Sequence, residues 1–256
     1  MNQAWQAKYR LLTFDTIDST NSEALRIAKN ETTENLVIVA KSQTKGRGRA
    51  GKHWQSDCGN LYASILLNDI NMPYDRSQLT LVTALAVHAV INDLLVKIEN
   101  KLKTVLIKWP NDILVDNKKI AGVLLESIIV SGEIVSIIIG IGINITNHPN
   151  TITATTDLLA EGVKDKDYEI MQILDLLMIS FDKYFAMWKN KGFLDIKEQW
   201  LKHAAGLGKL ITIKSNDNQI FGIFEGLDDK GNIKIRDNRG ALSIHLTGEV
   251  SLILEQ

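Results

Sequence analysis

A basic, glycine-rich segment between Thr44 and Ser56 holds the residue types best suited to chemistry. It reads TKGRGRAGKHWQS, with two arginines and two lysines among three glycines and with His53 and Trp54 after them. Glycines let backbone N–H groups converge on an anion, and arginine offers a planar fork of donors for phosphate or carboxylate. The segment therefore predicts a site for a small anionic ligand, with Trp54 covering an apolar part of it. Taken alone, it is equally compatible with a solvated surface turn anchored by the tryptophan.

Two nucleotide-binding patterns match this loop by letter but not by context. Residues 46–51 match G-x-G-x-x-G, and residues 46–52 match most of the P-loop pattern. Both patterns require a helix after the glycines, because the N-terminus of that helix receives the phosphates. The segment from His53 to Asn60 is too short and too polar for such a helix, and His53 replaces the Ser or Thr that holds magnesium in a P-loop. A dinucleotide-binding fold is therefore disfavoured.

Composition narrows the class of protein. The chain has 256 residues, 45% of them hydrophobic, and a net charge of −1, which suits one large domain or a large and a small one. A local excess of positive charge in a neutral chain favours a small anion over a polyanion. The single cysteine, Cys58, excludes an intrachain disulfide and a cysteine-rich zinc site. No apolar run reaches the ~18 residues of a membrane helix, and residues 1–10 lack a signal-peptide core, so we expect a cytoplasmic protein without a membrane partner.

The elements that must position the loop alternate between strand and helix patterns. Thr20, with Glu23 three residues later, predicts a capping box at the start of a helix. Short apolar runs bounded by turn residues predict strands, and longer segments with helical spacing predict helices. The predicted strands are 36–40, 61–67, 104–109, 112–116, 120–127 and 133–145, and the predicted helices are 20–30, 78–97, 169–190 and 193–203.

The character of the sequence changes after Gly206. Four short strand patterns follow at 210–215, 219–226, 232–237 and 241–246, separated by the turn sequences NDN, DDKG and DNRG. Four or five short strands in ~50 residues predict a small barrel. The predicted fold class is α+β: a mixed, largely antiparallel sheet flanked by helices, followed by a small β-barrel. We place the two domains at 1–206 and 207–256.

Four further segments, read in order with the loop, resemble one enzyme family. DSTNSEA (18–24) precedes the loop, and KWPNDILVDNKKIAGVLLES (108–127), GIGINI (140–145) and GEVSLIL (248–254) follow it. In this order and spacing they closely resemble the biotin protein ligases, or biotin--[acetyl-CoA-carboxylase] ligases, over nearly the whole chain. The resemblance implies a class II synthetase-like catalytic domain and an SH3-like C-terminal barrel.

The resemblance also implies a reaction and its reactants. Such enzymes use ATP with Mg²⁺ to convert biotin into biotinyl-5′-AMP, releasing pyrophosphate. They then transfer biotin to a lysine of the biotin carboxyl carrier protein of acetyl-CoA carboxylase or a related biotin-dependent enzyme. A cationic loop suits this chemistry, because attack of a carboxylate on a phosphate joins two anions whose charge must be stabilised.

By the same resemblance, particular residues are expected to form the site. Thr20 and Gln43 are expected to hydrogen-bond the ureido ring, because a buried polar head needs partners. Trp54 is expected to wall the biotin and adenine sites. The full expected set of biotin- and nucleotide-contacting residues is Ser19, Thr20, Asn21, Gln43, Gly46, Arg47, Gly48, Arg49, Trp54, Asn111, Lys119, Gly122 and Asn144.

Three residues are expected to be catalytic. Lys119 is expected to bridge the biotin carboxylate and the α-phosphate, and Arg49 to belong, with Arg47, to a loop that orders over both. Asp112 is expected to hold Mg²⁺ or to accept a proton from the incoming carrier lysine.

Each of these residues has a plainer alternative when it is taken singly, so the assignment depends on their occurrence together and in order. His88, in the long apolar helix, is expected to be structural, and Cys58 to be a spectator. The alternatives are a helix cap for Thr20, turn chemistry for Asn111 and Asp112, a solvated hairpin tip for Lys118 and Lys119, a local backbone partner for Asn144 and a β-bulge for Gly140 and Gly142.

The chain departs from the family pattern at two positions. Lys52 stands where the family often has arginine, which keeps the charge but loses the bidentate fork. Ile253 stands where an arginine often follows GE-[IV]-SL, so the part of the barrel in ATP or carrier binding stays open. Some members begin with a DNA-binding helix-turn-helix domain. Because the motif at Asp18 comes so early, we expect a monofunctional ligase without specific DNA binding. Family members include monomers and dimers, so the resemblance leaves a monomer or a homodimer open.

Two other functions are compatible with parts of the sequence. A lipoate or octanoate ligase or transferase is related in fold, but this chain lacks the RR-x-x-GGG-type run typical of those enzymes. A nucleic-acid-binding module could use the basic loop and the barrel, yet Phe221 and Phe224 are the only aromatic residues in the barrel strands that could stack on bases.

Overall fold

A seven-stranded mixed sheet forms the larger part of the protein. The computed structural model describes residues 4–30, 34–68, 75–98, 103–130, 133–150, 154–164, 169–215 and 218–253. The strands lie in the order β1-β2-β3-β7-β6-β5-β4, and only β1 and β2 run parallel. They are β1 (Arg10–Ile17), β2 (Leu36–Gln43), β3 (Leu61–Leu67), β4 (Val105–Lys108), β5 (Asp112–Val115), β6 (Lys118–Val130) and β7 (Glu133–Ile143). The predicted mixed, largely antiparallel sheet is confirmed.

The described residues form four helices, as the sequence predicts. They are α1 (Thr20–Ala28), α2 (Leu79–Val96), α3 (Ile170–Lys191) and α4 (Phe193–Lys202). Helix α3 packs on α2, α1 packs on β2, β3 and β7, and α4 packs on α2, α3 and the C-terminal sheet. Single 3-10 turns lie at Ala4–Ala7, Arg49–Gly51 and Arg76–Gln78.

Helix α2 is buried on nearly every side. Thirteen of its eighteen residues are buried. The helical stretch Arg76–Val96 is long and apolar enough to cross a membrane by composition, although no single apolar run in it is that long. However, 72% of its most apolar 18-residue window is buried inside the protein. Its apolar character therefore serves the core between the sheet and α3.

The alternation of side chains along the central strands divides the sheet into two faces. Ala63, Ile65 and Ile139 point toward α2 and are buried in the main core. Tyr62 and Ser64, their neighbours on β3, point to the opposite face. Ile65 and Ile139 are cross-strand partners with no exposed surface, so truncating either to alanine should cost about 2–5 kcal/mol of stability. The opposite face is covered by α1 at one end and is lined by polar residues at the other.

The start of α1 differs from the sequence prediction. Ser19 is the N-cap, and its Oγ accepts from the backbone N of Ser22. The predicted capping box of Thr20 and Glu23 is wrong: Glu23 bonds Arg26 instead. Thr20 is drawn away from a capping role because its N–H and hydroxyl both donate to Gln43 on β2. Hydrogen bonds to a distant strand thus determine which residue caps α1, and the spacing of residues along the sequence did not show this.

A separate antiparallel sheet follows the helices, as predicted. Its strands lie in the order β11-β10-β9-β8-β12. They are β8 (Leu210–Ser215), β9 (Asn218–Leu227), β10 (Ile233–Arg236), β11 (Leu242–His245) and β12 (Glu249–Leu252). The chain reaches this sheet along the outer edge of β4, where Ile107 donates to His203 O and Ala205 donates to Ile107 O. These bonds seat the C-terminal sheet beside the open end of the polar face.

Candidate active site

A cavity of about 610 Å³ lies between the polar face of the large sheet, the glycine-rich loop and a turn of the C-terminal domain. Its walls bring together segments that are far apart in the sequence. Of the residues expected in the site, those that line it are Ser19, Thr20, Asn21, Gln43, Arg47, Gly48, Arg49, Trp54, Asn111, Asp112, Lys119 and Gly122. Gly46 and Asn144 are not among the residues that line it.

One end of the cavity is a chain of uncharged hydrogen-bonding groups. The Oε1 of Gln43 accepts from the N–H of Thr20 at 2.8 Å and from its hydroxyl at 3.1 Å. The Nε2 of Gln43 donates to Ser56 Oγ at 2.9 Å, which fixes the orientation of the amide. Ser64 Oγ lies 2.7 Å from Thr20 Oγ1 and 2.5 Å from Asn21 Oδ1. This network fixes the amides of Gln43 and Asn21 and the hydroxyls of Thr20, Ser56 and Ser64, none of which carries a charge. Thr20, Asn21 and Gln43 of this network line the cavity.

Glycines on the sheet make room for the side chains that cover it. A Cβ added at Gly142 would lie 2.6 Å from Cε2 of Trp54, and one at Gly122 would lie 3.1 Å from Cζ3 of the same ring. A Cβ at Gly140 would collide with the amide of Asn21. The β-bulge alternative for Gly140 and Gly142 is wrong, because the ladders on both sides of β7 keep their register there. Their role is close approach: Trp54 lies flat against the sheet and forms an apolar wall.

The glycine-rich loop is a small hairpin with its tip over the cavity. Arg47 pairs with His53, Trp54 donates to Gly46 O at 3.0 Å, and Gly48 donates to Lys52 O at 2.7 Å. Within the described segment 34–68, a strand and no helix follows the glycines, as the sequence indicated. The left-handed conformation falls on Ala50 (φ 52°) and Gly51 (φ 71°), whereas Gly48 has an ordinary φ of −107°. The backbone conformation at position 48 therefore does not require glycine.

The two arginines of the loop have different environments. Arg47 points toward the sheet and bonds Glu126, Ser22 and Ser19. Arg49 points toward the cavity, where Nη1 makes long bonds to Asn111 Oδ1 at 3.3 Å and to Gly248 O at 3.5 Å. Burial lowers the pKa of Arg49, although the nearby carboxylates oppose this. A partly desolvated guanidinium with unused donors is prepared to bind an anion.

Lys119 and Asp112 form the charged end of the cavity. Lys119 Nζ lies 2.6 Å from Asp112 Oδ1 and 5.1 Å from the centroid of the Trp54 ring. Lys108 approaches the other oxygen of Asp112 at 3.4 Å. Two ammonium groups thus share one carboxylate, which leaves excess positive charge beside Arg49. The arrangement favours binding of an anion with more than one charged oxygen.

The hairpin between β5 and β6 places the adjacent residues Lys118 and Lys119 in different environments. The turn lies at Asp116 and Asn117, which both have positive φ. Lys118 is half exposed, as the hairpin-tip alternative expected, but Lys119 points into the cavity. Its backbone is held by Ala154 O and Thr156 N. Asn144 donates to the backbone O of Thr156, as its plainer alternative expected, and its contact with a nucleotide stays a prediction.

The C-terminal domain supplies one wall of the cavity. The turn before β12 contributes Thr247 and Gly248 to the lining, and the first residue of β12 contributes Glu249. Glu249 accepts from Lys52 of the loop at 2.6 Å, and this bond is the main cause of the lowered pKa of that carboxyl. Lysine at position 52 therefore still reaches across to the C-terminal domain.

Sequence reasoning missed several residues of the site. Glu126, Ser56, Ser64 and Lys108 all bond residues that were expected there. A signal existed for Glu126, because it shares strand parity with Gly122 in the segment that carried the resemblance. Ser56 and Ser64 gave none, since a serine in or beside a strand is ordinary. Cys58 is exposed and free, and His88 is buried with its Nε2 3.0 Å from Val105 O, consistent with a structural role.

Comparison with known proteins decides the family. Residues 13–144 match the biotin/lipoate A/B protein ligase family, and residues 206–253 match the biotin protein ligase C-terminal domain. The chain belongs to the biotin protein ligase family. A biotin--[acetyl-CoA-carboxylase] ligase from Paracoccus denitrificans is 33% identical over 87% of this chain and 92% of its own. The bifunctional ligase/repressor BirA of Bacillus subtilis is 31% identical over 92% of this chain and 72% of its own.

Solved structures of biotin protein ligases agree with this assignment. The Aquifex aeolicus biotin protein ligase in complex with biotin and ATP superimposes with a TM-score of 0.78. It is 30% identical and covers 94% of this chain and 97% of its own. The prediction of an enzyme of the biotin--[acetyl-CoA-carboxylase] ligase type is confirmed, and so is the α+β fold with its C-terminal β domain.

Proposed function

We propose that this biotin protein ligase binds biotin and ATP in the cavity described above, forms biotinyl-5′-AMP and transfers biotin to a lysine of a biotin carboxyl carrier protein. One observation carries the proposal: the cavity has an uncharged polar end at Thr20 and Gln43, an apolar wall at Trp54 and a cationic end at Lys119 and Arg49. Biotin has the same three parts in the same order, namely a ureido ring, an apolar body and chain, and a carboxylate.

The polar end suits the ureido group. Thr20 and Gln43 orient one another, and Ser56 fixes the Gln43 amide. A preorganised amide and hydroxyl can exchange one of their mutual bonds for a ligand bond at little entropic cost. A ligand without hydrogen-bonding groups at this end would leave the buried groups unpaired, which favours biotin over the ring of lipoate.

The cationic end suits the chemistry of activation. A carboxylate oxygen of biotin attacks the α-phosphorus of ATP, a P–O bond forms, and the bond to pyrophosphate breaks. Lys119 can contact both the biotin carboxylate and the α-phosphate. Arg49 can donate hydrogen bonds to the phosphate oxygens as their negative charge increases. Donors placed where charge develops typically lower the barrier by a few kcal/mol each.

The second step needs a proton acceptor. The lysine amine of the carrier attacks the acyl carbon of biotinyl-AMP, an amide forms and AMP leaves, while the amine loses a proton. Asp112 lies at the charged end and is the carboxylate proposed to take that proton. Glu249 points to Lys52 instead.

Magnesium enters with the nucleotide. Within the described residues, no group of three His, Cys, Asp or Glu side chains could hold a metal ion by itself. Mg²⁺ in nucleotide sites is usually held by one or two carboxylates together with phosphate oxygens and water. Asp112 is the carboxylate at the charged end, so we propose that it contacts the Mg²⁺ of MgATP.

The proposal is tested by the small molecules that purified protein retains. The protein is incubated with MgATP and either biotin or lipoate, desalted and analysed by mass spectrometry. Retained biotinyl-AMP from biotin alone is the expected result. Retained lipoyl-AMP would assign the protein to the lipoate ligases, and no adenylate from a folded sample would overturn the proposed reaction.

A further inference from the structure

Glu126 lies on β6 two residues beyond Leu124, which, like Gly122, lines the cavity. Gly122, Leu124 and Glu126 share strand parity and therefore share a face. Both oxygens of Glu126 accept from the Nη2 of Arg47, at 3.1 and 3.0 Å. Its Oε1 also accepts from Arg47 Nε at 3.3 Å, and its Oε2 accepts from Asn21 Nδ2 at 2.6 Å. One carboxylate thus joins the glycine-rich loop to the first turn of α1.

The guanidinium of Arg47 is engaged on all three nitrogens. Its Nη1 donates to Ser22 Oγ at 2.6 Å and lies 3.4 Å from Ser19 Oγ, both at the start of α1. Nε and Nη2 face Glu126. This contrasts with Arg49, whose bonds are long and whose guanidinium lies at the cationic end of the cavity. The two arginines of the loop therefore have different roles. Arg47 holds the loop in place, and Arg49 lies at the cationic end of the cavity, where the proposed anionic ligand would bind.

We propose that Glu126 is a positioning residue of this biotin protein ligase: through Arg47 and Asn21 it holds the glycine-rich loop against α1 and so keeps the cavity closed over its contents. We call the contacts of Glu126 with Arg47 and Asn21 the Glu126 clasp. The structural part of this inference stands alone, and its kinetic part rests on the proposed function. Glu126 itself acts through its two partners.

The physical reason lies in the composition of the loop. At its base, Thr44 and Lys45 donate to Ile17 O and Asp18 O, which fixes the entry of the chain. Beyond that point three glycines enlarge the conformational freedom that must be lost when the loop settles on the cavity. A multidentate bond in the middle of the segment removes much of that freedom in advance, which reduces the entropic cost of holding a ligand.

Judged by solvent exposure alone, the ion pair between Arg47 and Glu126 would contribute little to stability. The side chains of Arg47 and Glu126 keep 31% and 34% of their surface, and pairs of that kind often contribute little. The chain offers a matched control on the C-terminal sheet, where Arg236 pairs with Glu225 at 43% and 31% exposure. That pair joins neighbouring strands and touches no loop of the cavity. Both variants lose a similarly exposed ion pair. If Glu126→Ala has the larger effect on the loop than Glu225→Ala, the cause is the position of the Glu126 clasp at the loop and not the loss of an ion pair as such.

Limited trypsin digestion tests the structural part without any ligand. The loop has four cleavable residues, at positions 45, 47, 49 and 52. Cleavage needs local opening of the segment, so its rate reports how well the loop is held. We expect Glu126→Ala to speed cleavage between 45 and 52 roughly tenfold, and Glu126→Gln by less, because it keeps one acceptor. Glu225→Ala should cleave there at the wild-type rate.

Three constants test the kinetic part: the KM for biotin, the dissociation rate of biotinyl-AMP and kcat. In Glu126→Ala we expect the KM for biotin and the dissociation rate of biotinyl-AMP to rise roughly tenfold, with kcat for pyrophosphate release changing by less than about threefold. The double variant Arg47→Ala/Glu126→Ala should be no worse than Arg47→Ala alone for loop cleavage at 49 and 52, because residues that act as a unit are not additive.

The outcomes separate the two proposals. Wild-type cleavage and wild-type biotin affinity in folded Glu126→Ala would overturn the clasp. A tenfold fall in kcat at unchanged KM would also overturn it as a positioning device, since it would place Glu126 in the chemical step. If wild-type protein forms no adenylate, the proposed reaction fails, and the digestion experiment still decides whether Glu126 holds the loop.

Discussion

Lys119 Nζ lies 2.6 Å from Asp112 Oδ1, although Asp112 pairs with Gly122 and Lys119 with Leu114, on opposite sides of the register shift between β5 and β6. Their side chains retain 23% and 14% of their exposure, so the pair is partly desolvated. Without substrates, Lys119 is therefore paired with the carboxylate of Asp112. In the proposed reaction its charge would interact with both Asp112 and the substrate anions. This relationship makes the lysine available at a fixed place without leaving a buried charge unpaired.

Replacing Lys119 by alanine should lower the rate of adenylate formation roughly 100- to 1,000-fold, because a charge aimed at the developing phosphate anion is lost. The measurement is pyrophosphate release under saturating biotin and MgATP. Lys118→Ala is the matched control, since Lys118 is the neighbouring, half-exposed lysine outside the cavity. A rate for Lys119→Ala within about threefold of wild type would refute its role.

Gly142→Ala should displace Trp54, because the added Cβ would lie 2.6 Å from the indole. We expect the KM for biotin to rise and stability to fall by about 1–3 kcal/mol, the usual range for overpacking. Denaturant unfolding and initial-rate kinetics measure both effects. In a Trp54→Ala background the same change should have little further effect on stability, since the clashing ring is gone. Additive losses would mean that Gly142 serves some other purpose.

Gly48→Val should speed the escape of biotinyl-AMP through the loop. The structure leaves room for the side chain, because the nearest atom to an added Cβ is Lys52 O at 3.6 Å and φ is −107°. Stability should therefore stay near wild type, while the β-branched residue restricts the backbone movement by which the loop closes over a bound ligand. Dissociation of preformed biotinyl-AMP, followed by filtration or fluorescence, provides the test. An unchanged rate would count against loop closure as the means of retention.

The bond between Lys52 and Glu249 should make a small, pH-dependent contribution to stability. Hydrogen bonding to Lys52 lowers the pKa of Glu249 below the ordinary glutamate value of 4.5, so the contribution is present above pH 4.5 and is lost as pH falls through the depressed pKa. Because both side chains are more than half exposed, the contribution at pH 7 should stay below about 1 kcal/mol. Urea unfolding of wild type and Lys52→Ala at pH 7 and pH 3 measures it. A gap that widens at pH 3 would contradict the assignment.

His88 should give the protein an acid-sensitive core. Burial, with His203 beside it, lowers the pKa of His88 from 6.5 to about 4. The unfolded chain then binds more protons than the folded one between those values, so stability is complete above pH 6.5 and falls as pH drops toward 4. The loss should approach about 3 kcal/mol from this residue. Unfolding of wild type and His88→Gln across that range would show a smaller slope in the variant, and equal slopes would refute the prediction.

Much of the fold could be predicted from local patterns. The apolar runs at β2, β3 and β7 and the long spacing of α2 and α3 gave the correct element types, because burial there is strong and continuous. Strand β1 was missed, since it is an edge strand whose sequence RLLTFDTI is mostly exposed or half-exposed and has no clear alternation of buried residues. The capping box at Thr20 failed because a bond to a distant strand outweighed a local one.

The sequence alone determined which residue types occur in which order, and this order was enough to indicate the family, the two-part fold and twelve of the residues that line the cavity. It could not show which arginine holds the loop and which faces the anion, because Arg47 and Arg49 are two residues apart in the same motif. That difference depends on Glu126 and Asn111, which lie 79 and 62 residues away. Only the tertiary structure decides such contacts, because hydrogen bonds depend on distance and direction in space and separation along the chain does not reveal either.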